Sequence, residues 1–223
     1  MAIELANNRL LGINGAGRIG KLLLWNELRA KRFDGFVVNF GRAVGGGLED
    51  LLESLLHDST YGSLERFLLG VDGKISARVI DAAEGLIEIH GRSLRVLRDQ
   101  RNPSLIEWRK WGVPIVVDAT GAFNDPNAES AKGSLRGHLD AGAKIVVNSA
   151  PFKSKDKRKL PDDACVLVYG INHTNFDPAR HKVVSAASCT TTALAHMMNP
   201  LLDTEVTSRI LTASMSTIHA ATN

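Results

Sequence analysis

The sequence predicts an α/β protein built on a doubly wound, mostly parallel sheet. Short apolar runs alternate with helix-like segments along most of the chain. Two of those runs, Ile115-Val116-Val117 and Ile145-Val146-Val147, are continuous and β-branched, the pattern of strands covered on both faces. A glycine-spaced turn, Gly15-Ala16-Gly17-Arg18-Ile19-Gly20, joins the first apolar run to the first helical segment.

The elements follow in order. Leu10-Leu11-Gly12-Ile13 is short enough for a buried strand, and Lys21 to Leu28 reads as a helix. Phe36-Val37-Val38-Asn39 is the second strand. Leu48, Leu51, Leu52, Leu55 and Leu56 form one helical face. Ile87-Glu88-Ile89, turned by His90-Gly91 into Leu94-Arg95-Val96, reads as an antiparallel hairpin inserted into the alternation. After the two β-branched runs come an expected buried strand through Cys165 to Tyr169, the run Val183 to Ala186, a helix from Thr190 to Met198, and a strand-like run from Leu211 to Ile218. No internal repeat or low-complexity segment interrupts them.

The strand before the glycine turn and the helix after it are the context a dinucleotide fingerprint requires. Gly15 permits the tight turn, Gly17 lets backbone approach a pyrophosphate, and Gly20 lets helix and strand pack closely, while the helix N-terminus offers free N–H groups. The next part of the fingerprint is missing. An acidic residue at the end of the second strand should hold the ribose 2′-hydroxyl of NAD, but Phe40-Gly41-Arg42 follows Asn39, and Asp34 lies at the other end of that strand. With no carboxylate to repel a 2′-phosphate, the expected cofactor is NAD or NADP. Arg42 reads either as a forked phosphate donor or as a solvated loop residue. Thr120-Gly121 follow the strand ending in Asp118, at the carboxyl end of the sheet where such folds bind ligands.

Composition excludes other classes. A length of 223 residues allows one full domain and part of a second. A net charge of +3 is too small to argue for nucleic acid, and the basic run Lys153 to Lys159 lacks the aromatic residues that single strands need, so it reads as a solvated loop. No apolar run is long enough to span a membrane, and Met1-Ala2-Ile3-Glu4-Leu5 lacks the features of a signal peptide, so a cytoplasmic protein is expected. Two cysteines fit a reducing compartment. Cys165 reads as a small apolar core residue, whereas Cys189 opens a helix, where the dipole and free N–H groups favour a thiolate. Ser188-Cys189-Thr190-Thr191 is followed thirty residues past the cysteine by Thr217-Ile218-His219-Ala220, which supplies a candidate nucleophile and base. Taken alone, Ser188 is an ordinary N-cap, and a lone His219 in a strand-like run is more often structural. The other histidines, at 57, 90, 138, 173, 181 and 196, show no ligand spacing, and no metal is expected.

Ile13-Asn14-Gly15-Ala16-Gly17-Arg18-Ile19-Gly20, His57-Asp58-Ser59-Thr60-Tyr61-Gly62, Arg101-Asn102-Pro103, Ala119-Thr120-Gly121, Ser149-Ala150-Pro151, Gly170-Ile171-Asn172-His173 and Ala187-Ser188-Cys189-Thr190-Thr191 resemble, in order, the motifs INGFGRIG, YDSTHG, RDP, STG, SAP, GVNH and ASCTT of the phosphorylating glyceraldehyde-3-phosphate dehydrogenases. The resemblance runs from the first strand to the end of the chain. It implies a Rossmann-type cofactor domain over residues 1–188 and the beginning of an α+β substrate (catalytic) domain over 189–223. That domain would continue beyond Asn223 with phosphate-binding arginines and a C-terminal helix that packs back on the cofactor domain.

By the same resemblance, Cys189 attacks an aldehyde, His219 serves as its base, and Ser188, Thr190 and Thr222 bind substrate phosphate or inorganic phosphate. Arg18 and Ile19 meet the pyrophosphate through their backbone N–H groups, and Arg101, Thr120 and Ser149 line the adenine and nicotinamide sides. Arg101 before Asn102-Pro103 also fits plain turn chemistry. The implied partners are a small-molecule aldehyde, inorganic phosphate and further copies of the chain in a tetramer. Two departures are visible: Phe40 stands where the family carries its NAD-selecting Asp, and Thr192-Ala193 replace the Asn-Cys that ends SCTTNC, which removes an oxidation partner for Cys189. A non-catalytic dinucleotide-binding fragment is the alternative reading, as is a related dehydrogenase acting on a semialdehyde or on erythrose 4-phosphate.

Overall fold

The computed structural model describes residues 9–42, 45–98, 100–154, 160–205 and 207–219. Met1 to Leu5, the segment 155–159 of the basic run, Ala220 and Thr222 lie outside the described residues. The first strand, β1 (Leu10–Asn14), is buried at every position and pairs in parallel with the equally buried β2 (Gly35–Asn39), in a register from Leu10↔Gly35 to Asn14↔Asn39. Between them α1 (Arg18–Ala30) buries Leu24, Trp25 and Leu28 against Leu11, Ile13, Phe36 and Val38. The second helix, α2 (Leu48–Leu56), buries Leu48, Leu51, Leu52 and Leu55, four of the five positions its periodicity marks. It is tied to α1 by the Trp25 indole N–H, which donates to Leu55 O at 2.8 Å.

A two-rung antiparallel ribbon, β3 (His57–Asp58) and β4 (Gly62–Ser63), leads into α3 (Leu64–Leu69), whose N-cap Ser63 accepts from Arg66 N. Next comes a meander of β5 (Ala77–Asp81), β6 (Leu86–Ile89) and β7 (Arg92–Leu97). Its second turn is His90-Gly91, with φ of 50° and 73°. Two positive values are what a two-residue type I′ hairpin requires, and the expected hairpin forms there. The strand β7 then pairs in parallel with β2, which joins the meander to the main sheet.

The later half adds β8 (Ile115–Asp118), α4 (Leu135–Asp140), β9 (Ile145–Asn148), β10 (Ala164–Val166), β11 (Val183–Ser185) and α5 (Cys189–Leu202). The nine-stranded sheet runs β10-β11-β9-β8-β1-β2-β7-β6-β5, and only the two meander pairings are antiparallel. Helices lie on both faces: α1 and α2 over the odd positions of β1, and α4, through Leu135, on Val146 and Val183 of the opposite face. Trp108, Val113 and Ala143 fill that second face against Leu10, Val37 and Val116.

Three expectations need correcting. Cover on both faces holds for β1 and β2 but not for β8 and β9, where Ile115, Val117, Ile145 and Val147 are only half-buried. The face they share with Val184 borders an apolar groove of about 530 Å³ rimmed by Leu167 and Phe176, and among the described residues no helix fills it. The strand expected through Tyr169 ends at Val166, because the Asn172 side chain accepts from Val168 N at 2.6 Å and donates to Val166 O at 3.0 Å, taking two groups a longer ladder would use. Cys165 is therefore half-buried on an outermost strand rather than in the core. The run Leu211 to Ile218 forms no strand. Leu211 is 95% and Ile218 98% exposed, and a strand needs a neighbour's ladder to satisfy its backbone.

The β3–β4 ribbon is fastened to α1 through Asp58. Its buried carboxylate takes ion pairs from Lys21 at 3.0 Å and Arg18 at 3.3 Å and hydrogen bonds from Thr60 N and Tyr61 N. Burial alone would raise its pKa, but the N–H donors and Lys21 outweigh that and hold it well below the usual carboxylate range. A carboxyl depressed in the folded state contributes stability above its unfolded pKa of about 3.9 and loses it as pH falls toward the folded value. Asp58→Ala should therefore destabilise the protein by about 2 kcal/mol near neutrality, with the gap to wild type closing under strong acid. Thermal unfolding of both proteins across that range checks this, and a gap independent of pH would contradict it.

Candidate active site

The glycine turn is built as a cradle. Gly15 has a φ of +95° and donates its N–H to Asn39 O at 2.8 Å, so the turn is pinned to the end of β2. A Cβ there would lie 2.9 Å from the Thr120 methyl and 3.0 Å from Thr120 N. At Gly20 a Cβ would sit 1.9 Å from Gly15 O, so only glycine allows α1 to start this close to the loop. Gly17 differs: nothing lies within 4 Å of its Cβ position, and it caps α1 without a side-chain hydrogen bond or any acidic residue in the first turn. The start of α1 thus places the positive end of a helix dipole beside the open space at Gly17. Asp58 and Ser59 engage the Arg18 side chain.

A cleft of about 310 Å³ lies beside this turn, lined by Gly15, Ala16, Gly17, Phe40, Arg42, Ser54, Ala119 and Thr120. It brings together the fingerprint glycines, the end of β2 and the end of β8. Among the described residues no carboxylate is in the lining. Arg42 is exposed and has no hydrogen-bond or ion-pair partner among the described residues. Ser54 was not among the expected residues; α2 presents it from between its leucines, and one polar residue within an apolar period is no signal. Arg101 is not in the lining itself; its Nε donates at 3.0 Å to the carbonyl of Gly41, which lies between Phe40 and Arg42, and Asn102 caps the 3-10 turn at Pro103–Leu105. Gly121 follows Thr120 with a φ of +68°, and Ser149 N donates to Asp118 O at 2.9 Å from the next strand end.

Beneath the cleft runs a buried polar chain that the sequence did not reveal. Asn39 Nδ2 donates to Gln100 O and to Asn14 Oδ1, both at 2.8 Å. Asn14 Nδ2 donates to Asp118 Oδ2 at 2.7 Å, and His138 Nε2 lies 3.0 Å from the same oxygen. Trp108 Nε1 donates to His138 Nδ1 at 2.9 Å. Asp118 Oδ1 accepts from Thr120 N at 3.0 Å and Thr120 Oγ1 at 2.6 Å. Among the described residues Asn39 Oδ1 is buried without a donor, an acceptor a bound nucleotide can satisfy. The glycine cradle, the uncapped helix start and this orphaned acceptor all fit a dinucleotide.

Cys189 sits farther along the same carboxyl edge. The Ser185 hydroxyl donates to Ala150 O at 2.8 Å and accepts from Ala187 N at 3.1 Å, linking the Ser149-Ala150 loop to the turn after β11. Ala187 is buried with a φ of 59°, an unusual conformation for alanine that recurs where a turn is held for function. Ser188 then caps α5, accepting from Thr191 N at 3.0 Å, with the Thr191 and Thr190 hydroxyls 2.7 and 3.2 Å away. Cys189 is the first residue of the 14-residue helix and is exposed. The structure does not bring His219 to it: His219 lies in an exposed irregular segment and has no partner among the described residues. Among those residues no group of His, Cys, Asp and Glu is arranged to hold a metal, and no helix is long and apolar enough to cross a membrane.

Residues 9–126 match the family model of the glyceraldehyde 3-phosphate dehydrogenase NAD-binding domain. The chain belongs to the glyceraldehyde 3-phosphate dehydrogenase family. Among its relatives are the glyceraldehyde-3-phosphate dehydrogenase of Treponema pallidum, 36% identical over 217 residues (95% of this chain and 55% of that protein), and glyceraldehyde-3-phosphate dehydrogenase 2 of Bacillus subtilis, 32% identical over 213 residues (96% and 53%). Glyceraldehyde-3-phosphate dehydrogenase 1 of Schizosaccharomyces pombe is 35% identical over 212 residues (95% and 53%). The chain spans about half the length of the curated relatives it matches. The cradle, the cleft and most of the polar chain lie within the matched NAD-binding domain, while His138 and Cys189 fall outside the matched range.

The two thiols differ in setting. Cys165 is half-buried, and burial pushes its pKa up, whereas Cys189 opens a helix in contact with solvent. Iodoacetamide at neutral pH should modify Cys189 at least tenfold faster than Cys165 in the folded protein, because alkylation follows thiolate and access. Peptide mapping of a time course reads the two rates, and equal rates would remove the distinction.

Proposed function

We propose that this chain carries the cofactor domain (residues 1–188) and the start of the catalytic domain (189–223) of a phosphorylating aldehyde dehydrogenase. Such an enzyme would convert glyceraldehyde 3-phosphate and inorganic phosphate to 1,3-bisphosphoglycerate with NAD or NADP. One observation carries the reading: the capped start of α5, with Cys189 exposed, stands on the same carboxyl edge of the sheet as the dinucleotide cleft. Family membership and the Ser-Cys-Thr-Thr motif support it. The protein acts in the cytosol, consistent with two free cysteines, and as a homo-oligomer by resemblance to its family.

The chemistry is that of a thiol working on a carbonyl. Cys189 Sγ bonds to the aldehyde carbon, giving a hemithioacetal. His219 takes the hydroxyl proton as that carbon is oxidised to the thioester. Bound NAD or NADP supplies the hydride acceptor. An oxygen of inorganic phosphate then attacks the thioester carbon, the C–S bond breaks, and the acyl phosphate leaves with Cys189 restored. The hydroxyls of Ser188, Thr190 and Thr222 bind the anionic groups. The α1 start holds the pyrophosphate through the N–H groups of Arg18 and Ile19, with Arg101, Thr120 and Ser149 lining the adenine and nicotinamide sides and Gly121 beside Thr120.

A second reading, nucleotide binding without turnover, is favoured by two features: among the described residues α5 buries none of its side chains and His219 stands alone. Reduction of NAD by glyceraldehyde 3-phosphate separates the two. Turnover that requires phosphate and is lost in Cys189→Ser and reduced at least a hundredfold in His219→Asn supports the dehydrogenase; saturable nucleotide binding with no turnover supports the second reading.

Phe40 in the cleft wall bears on cofactor choice. A carboxylate there would accept from the ribose hydroxyls of NAD and repel a 2′-phosphate, so its absence at position 40, together with an Arg42 that has no partner among the described residues, admits NADP. Hydrogen bonds to a charged acceptor contribute about 1.5–3 kcal/mol, roughly tenfold or more in affinity. Wild type should bind NADP at least as well as NAD, and Phe40→Asp should shift the ratio toward NAD by that factor in paired titrations. Strong wild-type preference for NAD would refute dual use.

A further inference from the structure

We infer that His138 is a positioning residue for the dinucleotide cleft, acting through Asp118 on Thr120. The polarity of the buried chain is fixed at both ends by groups with no choice of role. At one end the Gln100 carbonyl can only accept, so the Asn39 amide must donate to it and then to Asn14 Oδ1, which leaves the Asn14 amide donating to Asp118. At the other end the Trp108 indole N–H can only donate, so His138 Nδ1 must accept, at 2.9 Å. A neutral His138 therefore carries its proton on Nε2 and donates it to Asp118 Oδ2 at 3.0 Å. Asn14 Nδ2, 3.5 Å from Nε2, is a second donor to the same oxygen rather than a partner of the ring.

The consequence falls on Thr120. With Oδ2 occupied by two donors, Asp118 turns Oδ1 to the loop beyond β8, where it accepts from Thr120 N and from the Thr120 hydroxyl at 2.6 Å. The hydroxyl proton is spent on Asp118, and the oxygen accepts in turn from Ala122 N at 3.1 Å. What Thr120 has left for the cleft is acceptor capacity, matched to a hydroxyl or amide hydrogen of a nucleotide. His138 and Asp118 are fully buried, and neither lines the cleft; Thr120 does. The route from the Trp108–His138 pair to bound nucleotide thus passes through Asp118.

The inference rests on the cleft being the dinucleotide site, and the first measurement tests that reading by itself. Titration of wild type with NAD should show saturable binding; its absence overturns the reading of the cleft and this inference with it. Given binding, His138→Leu fills the site with a similar volume but no donor, and should weaken NAD about tenfold at a temperature where it remains folded. His138→Gln, whose amide can accept from Trp108 and donate to Asp118, should recover affinity to within about threefold of wild type. In a Thr120→Val background, where the oriented hydroxyl is gone, His138→Leu should add less than about twofold, since coupled residues are not additive. A His138→Leu protein that melts earlier but binds NAD as wild type does, or an undiminished loss in the Thr120→Val background, makes His138 merely structural. If His138→Leu does not fold, NMR of wild type decides: saturation with NAD should shift the Trp108 indole N–H resonance in wild type and much less in Thr120→Val, and an unmoved resonance overturns the inference.

Discussion

A carboxylate shut away from water must find its hydrogen-bond donors inside the protein, and much of this structure's carboxyl edge is arranged around that requirement at Asp118. The side chain is fully buried and, among the described residues, forms no ion pair with a lysine or arginine. It is satisfied by four donors: the Asn14 amide, the His138 ring, and the N–H and hydroxyl of Thr120. These come from β1, from α4 and from the loop after β8. The strand ends of β1, β2 and β8 are thereby held in one relative position, because a lost donor would leave a buried charge short of solvation. The glycine cradle then needs only to sit on this platform. Gly15 touches Thr120, and Gly20 touches Gly15, so the helix start above the cleft inherits its position from the carboxylate below.

The two halves of the edge are built by different means. On the cofactor side the determinants are backbone: a left-handed glycine, an uncapped helix start and close helix–strand contact. On the thiol side they are hydroxyls, with Ser185 bracing the turn and Ser188 capping α5. Backbone devices tolerate almost no side chain but little depends on which loops surround them. Hydroxyl devices hold locally, yet α5 buries none of its own side chains among the described residues, so its position depends on a few polar contacts at its first turn.

What was legible in the sequence was whatever is encoded over a few neighbouring residues. The leucine period of α2, the positive-φ pair His90-Gly91 and the β-branched runs of β8 and β9 each have a local cause, and each element formed where that cause placed it, although the cover expected on both faces of β8 and β9 did not. The glycines of the turn were readable for the same reason. The Asn39–Asn14–Asp118–His138–Trp108 chain was not, because it depends on sheet register and on a helix crossing the opposite face, and none of its residues has a neighbour in sequence that hints at the partner. Ser54 likewise looks like any polar residue on a helix. The strand-like run from Leu211 to Ile218 failed for the converse reason: β-propensity expresses readiness to pair, and among the described residues no ladder pairs with it.

The central strand carries a further implication for how the molecule comes into being. One neighbour of β1 is β2, which follows it after a single helix, but the other is β8, and the Asn14–Asp118 bond spans 104 residues. As the chain leaves the ribosome, β1, α1 and β2 can assemble from local contacts, Asn39 already donating to Asn14 Oδ1, while the other flank of β1 is still an open edge and the Asn14 amide lacks Asp118 as its acceptor. Pairings of such long range form late, since the entropy of closing the loop must be met before they stabilise anything. The glycine cradle is therefore an early product of synthesis and its platform a late one. A nascent chain that has made its fingerprint still lacks a working nucleotide site until β8 docks, and the exposed edge of β1 during that interval is where a holding chaperone or a misplaced strand would compete.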